Sequence, residues 1–455
     1  MNAPLGVGVV GLGVGQAHAE ALRRIPGVRV VHLCDRAADK RDWARRRFPG
    51  ATIGSRADAV WRDPAVGAVV ISTYDDDHAG QVLEALGRGK HVFVEKPLCR
   101  TAVELKAIHR AWRRHRGRVA LFSNLVLRAA PLYGWLRDRV RSGAFGRVYA
   151  FDGDYLYGRL WKITEGWRAR VKDYSVMEGG GIHLIDLLLW TTGQRPRAVW
   201  AAGNRLATAG TAFRSKDFAA ATLVFPSGLV ARITANFGCV HPHQHVVRVF
   251  GTRRTFLHDD AGPREQSRRD PAPPARAVRR APLPPHKGAL LDGFVRAVRT
   301  GANTAADTRS LFDGISVALA ADLGRACAAR GVRLVYGGGA RGLMGIAARA
   351  AHEAGGAVEG YMLEALIGRE GANVAIGELR MVTTLAERKR RIAEAADAFV
   401  ALPGGIGTLD ELTEVLTPIE VCWAYPGRRA FADLCGFIAR GELALAAIVA
   451  RRSHR

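Results

Sequence analysis

Val7-Gly8-Val9-Val10-Gly11-Leu12-Gly13-Val14-Gly15 is the stretch that decides how the chain begins to fold. Val7 to Val10 is a short apolar run, suited to a parallel strand buried on both faces. Gly11, Gly13 and Gly15 then allow a tight turn and let backbone N–H groups approach a pyrophosphate at a helix N-terminus, where the dipole favours anions. A second strand, Val28 to Cys34, ends at Asp35, where a carboxylate can accept hydrogen bonds from an adenosine ribose. Arg36 follows at once and could pair instead with a 2′-phosphate, so NAD and NADP both stay open. The loop departs from G-x-G-x-x-G because position 16 is Gln and the third glycine comes one residue early. Taken alone, such a loop also serves as a plain strand-to-helix turn.

The pattern repeats outward. Ala68 to Thr73 is another buried strand, followed by His78 and an amphipathic helix through Ala85 and Leu86. His91-Val92-Phe93-Val94-Glu95-Lys96-Pro97 is a strand ending in a charged pair beside a proline. This alternation predicts an α/β fold with a Rossmann-type parallel sheet. After Gly146 the period changes: Arg147 to Tyr157, Arg197 to Ala207, Ala219 to Phe225, Leu229 to Phe237 and Val246 to Phe250 predict an open, mostly antiparallel sheet. Asp259 to His286, rich in Pro and Arg, reads as a mobile surface loop. From about Ala320 an α/β pattern resumes, with strands at Val332 to Tyr336 and Val358 to Met362 and a helix from Leu385 that carries Arg388. Phe399 to Leu402 then runs into Pro403-Gly404-Gly405-Ile406-Gly407-Thr408, a loop suited to a sugar phosphate or nucleotide monophosphate.

At 455 residues, two or three domains are expected. The formal charge of +25 comes mainly from scattered Arg, with no single-faced stripe and no helix-turn-helix, zinc-finger or RNA-binding signature, so no nucleic-acid partner is expected. The six cysteines are widely spaced without a C-x-x-C pair, which points to a reducing compartment. The N-terminal apolar stretch leads straight into the glycine loop, as a strand and not a signal peptide, and no run nears the ~20 apolar residues of a membrane span. A cytoplasmic protein with no membrane partner is the expectation. His241, His243 and His245 alternate and would share one face of a strand, but no Cys or carboxylate stands at ligand spacing, so no metal is expected.

Glu95-Lys96-Pro97, Asn124, Gly143-Ala144-Phe145-Gly146 and Gly179-Gly180-Gly181-Ile182-His183-Leu184-Ile185-Asp186, in that order, make residues 5–320 resemble the Gfo/Idh/MocA oxidoreductases, the glucose-fructose oxidoreductase and inositol dehydrogenase family. The resemblance implies an NAD(P)-binding Rossmann domain over 1–122 and a substrate and oligomerisation domain over 123–318. It implies NAD or NADP as cofactor, a sugar, sugar derivative or polyol hydroxyl as substrate, and a homo-oligomer, dimer or tetramer. Gly11, Gly13, Gly15, Asp35, Arg36, Thr73, His78, Glu95 and Lys96 would then lie at the cofactor, and Tyr157, Trp167, Arg168 and Asp186 around the substrate. Lys96 would stabilise charge on the reacting oxygen while His183 removes the hydroxyl proton as hydride leaves the carbon. Without the resemblance, the same residues read as a surface Lys at a strand end and a structural His in a buried helix. The peptide bond before the proline is often cis in this family. Many members carry an Asp four residues before the His, where this chain has Gly179; Glu178, Asp173 and Asp186 are the carboxylates left to orient the imidazole. Cofactor binding without turnover would make the chain a redox or metabolite sensor.

Pro403 to Glu411 matches the P-G-G-x-G-T-x-x-E signature of the LOG family, the cytokinin riboside monophosphate phosphoribohydrolases. That resemblance implies a partial Rossmann-like segment over 319–455 that splits a nucleoside 5′-monophosphate into base and ribose 5-phosphate. Gly404, Gly405, Gly407 and Thr408 would cradle the phosphate, Arg388 would bind phosphate or ribose, and Glu411 would stabilise the ribosyl centre or activate water. The family's opening strand with its Gly-Ser-Ser-like loop is missing, and Pro418 to Arg455 does not resemble the closing strands. An incomplete sheet, short of an inner strand, is therefore expected.

Overall fold

The computed structural model describes residues 3–115, 117–171, 174–196, 198–270, 274–329, 332–340, 342–353, 355–367, 371–395, 398–402 and 446–452. The chain divides into two compact units, one formed by Met1–Arg195, Arg205–Phe218 and Ile233–Leu319, the other by Pro196–Asn204, Ala219–Arg232 and Ala320–Arg455.

In the first unit, β1 (Leu5–Val10), β2 (Val28–Cys34), β3 (Thr52–Gly54), β4 (Ala68–Ile71), β5 (His91–Val94) and β6 (Leu121–Ser123) form a parallel sheet in the order β3-β2-β1-β4-β5-β6. Val7, Val9, Val70 and Phe93 are fully buried within it, as strands covered on both faces require. Leu12, Ala19 and Leu22 join that core from the glycine loop and the helix Gly15–Arg24, and Leu291 and Phe294 join it from the late helix Ala289–Thr300. The strand order reverses between β1 and β4, so a crevice opens at their C-terminal ends, where such sheets take their ligands. The helix Ala102–Arg114 starts at a capping box in which the Thr101 side chain and Glu104 satisfy each other's backbone N–H groups.

The second sheet comprises β7 (Val148–Leu156), β8 (Ala198–Asn204), β9 (Phe218–Val224), β10 (Val230–Asn236), β11 (Gln244–Gly251), β12 (Thr255–Asp259), β13 (Gly262–Gln266) and β14 (Arg276–Ala277), in the order β14-β13-β12-β11-β7-β10-β9-β8. The expected alternation is plain in β9, where every second residue is buried. Asp259 to His286 does not run as a loop throughout. A tight turn returns the chain as β13 against β12, and Arg264 grips the Asp259 carboxylate with both terminal nitrogens, at 2.6 and 2.9 Å.

The helix Ala305–Ala329 follows. In the second unit, β15 (Val332–Tyr336), β16 (Val358–Leu363) and β17 (Glu378–Val382) are parallel neighbours. Between β15 and β18 (Ala398–Leu402) lies β19 (Ala446–Arg452), antiparallel to both. The sheet is thus not left short of an inner strand, because a stretch within Pro418 to Arg455 supplies backbone partners to both edges.

Candidate active site

The glycine loop stands at the mouth of the crevice. Gly11 has φ +83°, and a Cβ there would lie 2.5 Å from the Ser72 carbonyl, so only glycine fits. Gly15 packs against the Ser72 side chain, whereas a Cβ on Gly13 would meet nothing within 4 Å. The exposed backbone at Gly13 and the helix N-terminus beyond it form a cradle that a pyrophosphate fits. Asp35 fastens this loop: Oδ2 accepts from the Leu12 N–H at 2.5 Å and Oδ1 from the Ala37 N–H at 2.8 Å. Each oxygen keeps a lone pair for a ribose hydroxyl. Arg36 is exposed, 3.8 Å from Asp77. Thr73 hydrogen-bonds Gln81 at 2.8 Å. His78 is fully buried with its ring between the Pro97 carbonyl at 2.6 Å and the Thr73 carbonyl at 3.3 Å, so it braces two crevice loops.

Glu95 and Lys96 follow β5, and the Lys96–Pro97 peptide bond is cis. Glu95 Oε1 is shared by His18 Nε2 at 2.8 Å and Asn124 Nδ2 at 2.7 Å. Burial would raise the Glu95 carboxyl pKa, but the His18 hydrogen bond and the charges of His18 and Lys96, together with Asn124, bring it below the usual value. His18 sits on the helix after the glycine loop and carries no local sequence signal; only the fold brings it to Glu95. Lys96 Nζ donates to the Gly179 carbonyl at 2.9 Å. Burial and the nearby Arg168 lower its pKa, against the charges of Asp75 and Glu95.

Gly179 begins the run that leads to His183. Met177–Gly181 forms a π-helical turn that feeds the helix Ile182–Thr192. As the neighbours are packed, a Cβ would collide with the Tyr174 hydroxyl at 179, with the Tyr155 ring at 180 and with the end of the Met177 side chain at 181. The His183 ring stacks on Tyr155 at 6.1 Å and lies edge-on to His245 at 5.9 Å. Burial drives its pKa well below the usual imidazole value, helped by the charges of Lys96, His245 and His243. His183 Nδ1 is buried without a hydrogen-bond partner among the described residues. Two of the carboxylates considered for it can be placed. Asp186 is fully buried and locked to Arg128 by bonds of 2.9 and 2.6 Å, which removes it from both the imidazole and the expected substrate contact. Glu178 is buried at the start of the turn, and Asp173 lies outside the described residues.

Aromatic rings line the remaining wall. Tyr155 stacks with Tyr157 and Phe237 and meets His243 and His245 edge-on at 5.1 Å each. The three alternating histidines do not share one face: His241 turns to Asp260, while His243 and His245 meet Tyr155 edge-on. Among the described residues no cluster suits a metal ion. Trp167 carries the Arg168 guanidinium over its ring at 4.5 Å and touches Tyr74 at 5.0 Å. No helix among the described residues is long and apolar enough to cross a membrane.

In the second unit, Arg388 is buried against the glycine loop that follows β15, where a Cβ on Gly337 would collide with its guanidinium. Gly404, Gly405, Gly407, Thr408 and Glu411 lie outside the described residues.

Residues 5–123 match the oxidoreductase family with the NAD-binding Rossmann fold, and residues 133–257 match the GFO/IDH/MocA C-terminal domain. The chain belongs to the Gfo/Idh/MocA oxidoreductases. Residues 344–423 match a further family, possible lysine decarboxylase. Over 108 residues the chain is 47% identical to the cytokinin riboside 5′-monophosphate phosphoribohydrolase LOG of Oryza sativa subsp. japonica, covering 24% of this chain and 43% of that protein. A related phosphoribohydrolase of Arabidopsis thaliana is 45% identical over 108 residues, again 24% of this chain and 48% of its own. The chain spans less than half the length of these relatives. Among solved structures, myo-inositol 2-dehydrogenase from Lactobacillus plantarum superposes with a TM-score of 0.59 at 20% identity, over 70% of this chain and 96% of its own. Levoglucosan dehydrogenase in complex with NADH gives 0.60 at 21%, over 70% and 97%. At these identities the likeness establishes the shared fold. The expected α/β architecture and NAD(P)-type Rossmann domain are therefore established, and the fusion to a LOG-like segment with them.

Proposed function

We propose that the first unit oxidises or reduces a hydroxyl-bearing carbon of a sugar, sugar derivative or polyol, with NAD(H) or NADP(H). The observation that carries this reading is the ammonium of Lys96 at the end of β5, within electrostatic reach of an imidazole that burial keeps neutral. A bound nicotinamide supplies a hydride acceptor at C4. Gly11 to Gly15 would hold the pyrophosphate and Asp35 a ribose hydroxyl. Lys96 would hydrogen-bond the reacting oxygen and stabilise the charge that grows there. His183 would take the hydroxyl proton as the C–H bond breaks. Tyr157 and Trp167 offer ring faces to the substrate. The protein would act in the cytoplasm as a homo-oligomer. Fluorescence titration of the full chain with NADH and NADPH, followed by a polyol screen, tests the reading: saturable cofactor binding with polyol-dependent turnover is expected, and absence of cofactor binding overturns it.

A second activity rests on the 47% identity to a phosphoribohydrolase over the C-terminal segment. In it, the second unit would hydrolyse a nucleoside 5′-monophosphate, with Arg388 at the phosphate or ribose and Glu411 at the ribosyl centre. Release of ribose 5-phosphate from AMP, lost in Glu411→Gln, is the expected result; no release by the full chain would count against it.

A further inference from the structure

The helix that carries His183 is entered through glycines short of room, and Gly179 alone is crowded by a polar atom. A Cβ there would collide with the Tyr174 hydroxyl, while Gly180 and Gly181 face ring carbons and a thioether. The phenol therefore fills the volume that a side chain at 179 would occupy, beside the very carbonyl that accepts the Lys96 ammonium at 2.9 Å. Tyr174 is held there from two sides. Its ring lies edge-on to Phe213 and Phe237, at 6.0 and 6.3 Å. Its oxygen accepts a hydrogen bond from Arg168 Nε at 3.1 Å, and the guanidinium is itself braced over Trp167. An oxygen that accepts from a guanidinium keeps its own proton to donate, and among the described residues nothing takes it. Tyr174 as a whole is only 6% exposed, and burial raises the pKa of its phenol, so it stays a donor.

We propose that Tyr174, oriented by Arg168, is a substrate-positioning residue of the redox site, its phenolic O–H donating to an oxygen of the polyhydroxylated substrate held on Lys96. The proposal rests on the dehydrogenase reading and extends it. Arg168 serves in it mainly through Tyr174. The favoured substrate carries an acceptor oxygen near the carbon that reacts, and a deoxy analogue at that position gains nothing from the phenol.

Steady-state kinetics of the full chain with its best polyol, alongside NADH titration, tests this. Tyr174→Phe keeps the ring and removes the donor, and kcat/KM is expected to fall about tenfold or more, the worth of one good hydrogen bond. NADH affinity should stay within about twofold, since the phenol does not touch the cofactor cradle. Arg168→Met should cost less, and the double variant should be no worse than Tyr174→Phe alone. Wild-type kcat/KM in Tyr174→Phe overturns the proposal, as do additive losses in the double variant or a fall in turnover matched by lost NADH affinity. If Tyr174→Phe does not fold, unchanged kcat/KM in Arg168→Met overturns it instead. No turnover of any polyol by the wild type would fell the dehydrogenase reading first, and this proposal with it.

Discussion

Glu95, largely covered, and His183, buried, both stand near Lys96, yet the fold treats them in opposite ways. The carboxylate is gripped by His18 and Asn124 and held ionised below its usual pKa. The imidazole has an Nδ1 without a partner among the described residues, leans on Tyr155 and is pushed toward its neutral form. The contrast assigns the two sides different work. The Glu95 side, tied by two hydrogen bonds, frames the point where Lys96 begins, and the His183 side is the one that would exchange a proton in the proposed reaction. Lys96 joins them, bonded to the backbone of the glycine run that leads to His183.

The contrast can be broken most severely at the imidazole. His183→Gln should lower kcat about 10³-fold, in the range for loss of a general base, with NADH binding retained. Lys96→Met should lower kcat about 10²-fold, as for a removed oxyanion donor, again with binding retained. On the frame side, His18→Leu leaves Glu95 short of a partner and should cost about 1–3 kcal/mol of stability, read in denaturant melts, while the chemistry survives in the fraction that folds. In the glycine cradle, Gly11→Ala should destabilise the fold because of its positive φ, whereas Gly13→Ala should leave the melting temperature unchanged and weaken NADH binding about tenfold.

Acid sharpens the same comparison. His183 is held well below its usual pKa and His245 is lowered to about 3, both chiefly by burial. Below pH 6.5 the unfolded chain binds protons that these folded imidazoles refuse. Stability is therefore full above pH 6.5 and falls as pH drops from there toward 3. Melting temperature should decline through that window, and His245→Gln should flatten the slope modestly.

Much of this architecture was legible because its signals are local. The strand-loop-helix around Gly11, the strand ending at Lys96 and the alternation of β7 to β11 need only neighbouring residues to be read. His18 and Tyr174 reach the site only through tertiary packing, so no spacing announces them. Asp186 misled for the same reason: its partner Arg128 lies 58 residues earlier in the chain. His241 left the expected row because it turned to the Pro242 carbonyl and Asp260 before β11 begins. In the LOG-like sheet, β19 escapes a reading from the sequence because it comes from a stretch without family resemblance and runs antiparallel.

The most direct test of the redox site is reduction of NAD⁺ or NADP⁺ by a panel of polyols, comparing the wild type with His183→Gln under saturating cofactor. Polyol-dependent formation of reduced cofactor that collapses in His183→Gln, at unchanged cofactor affinity, is the predicted result. Equal rates in the two proteins would contradict the assignment of His183, and saturable NADH binding with no turnover of any polyol would contradict the dehydrogenase itself.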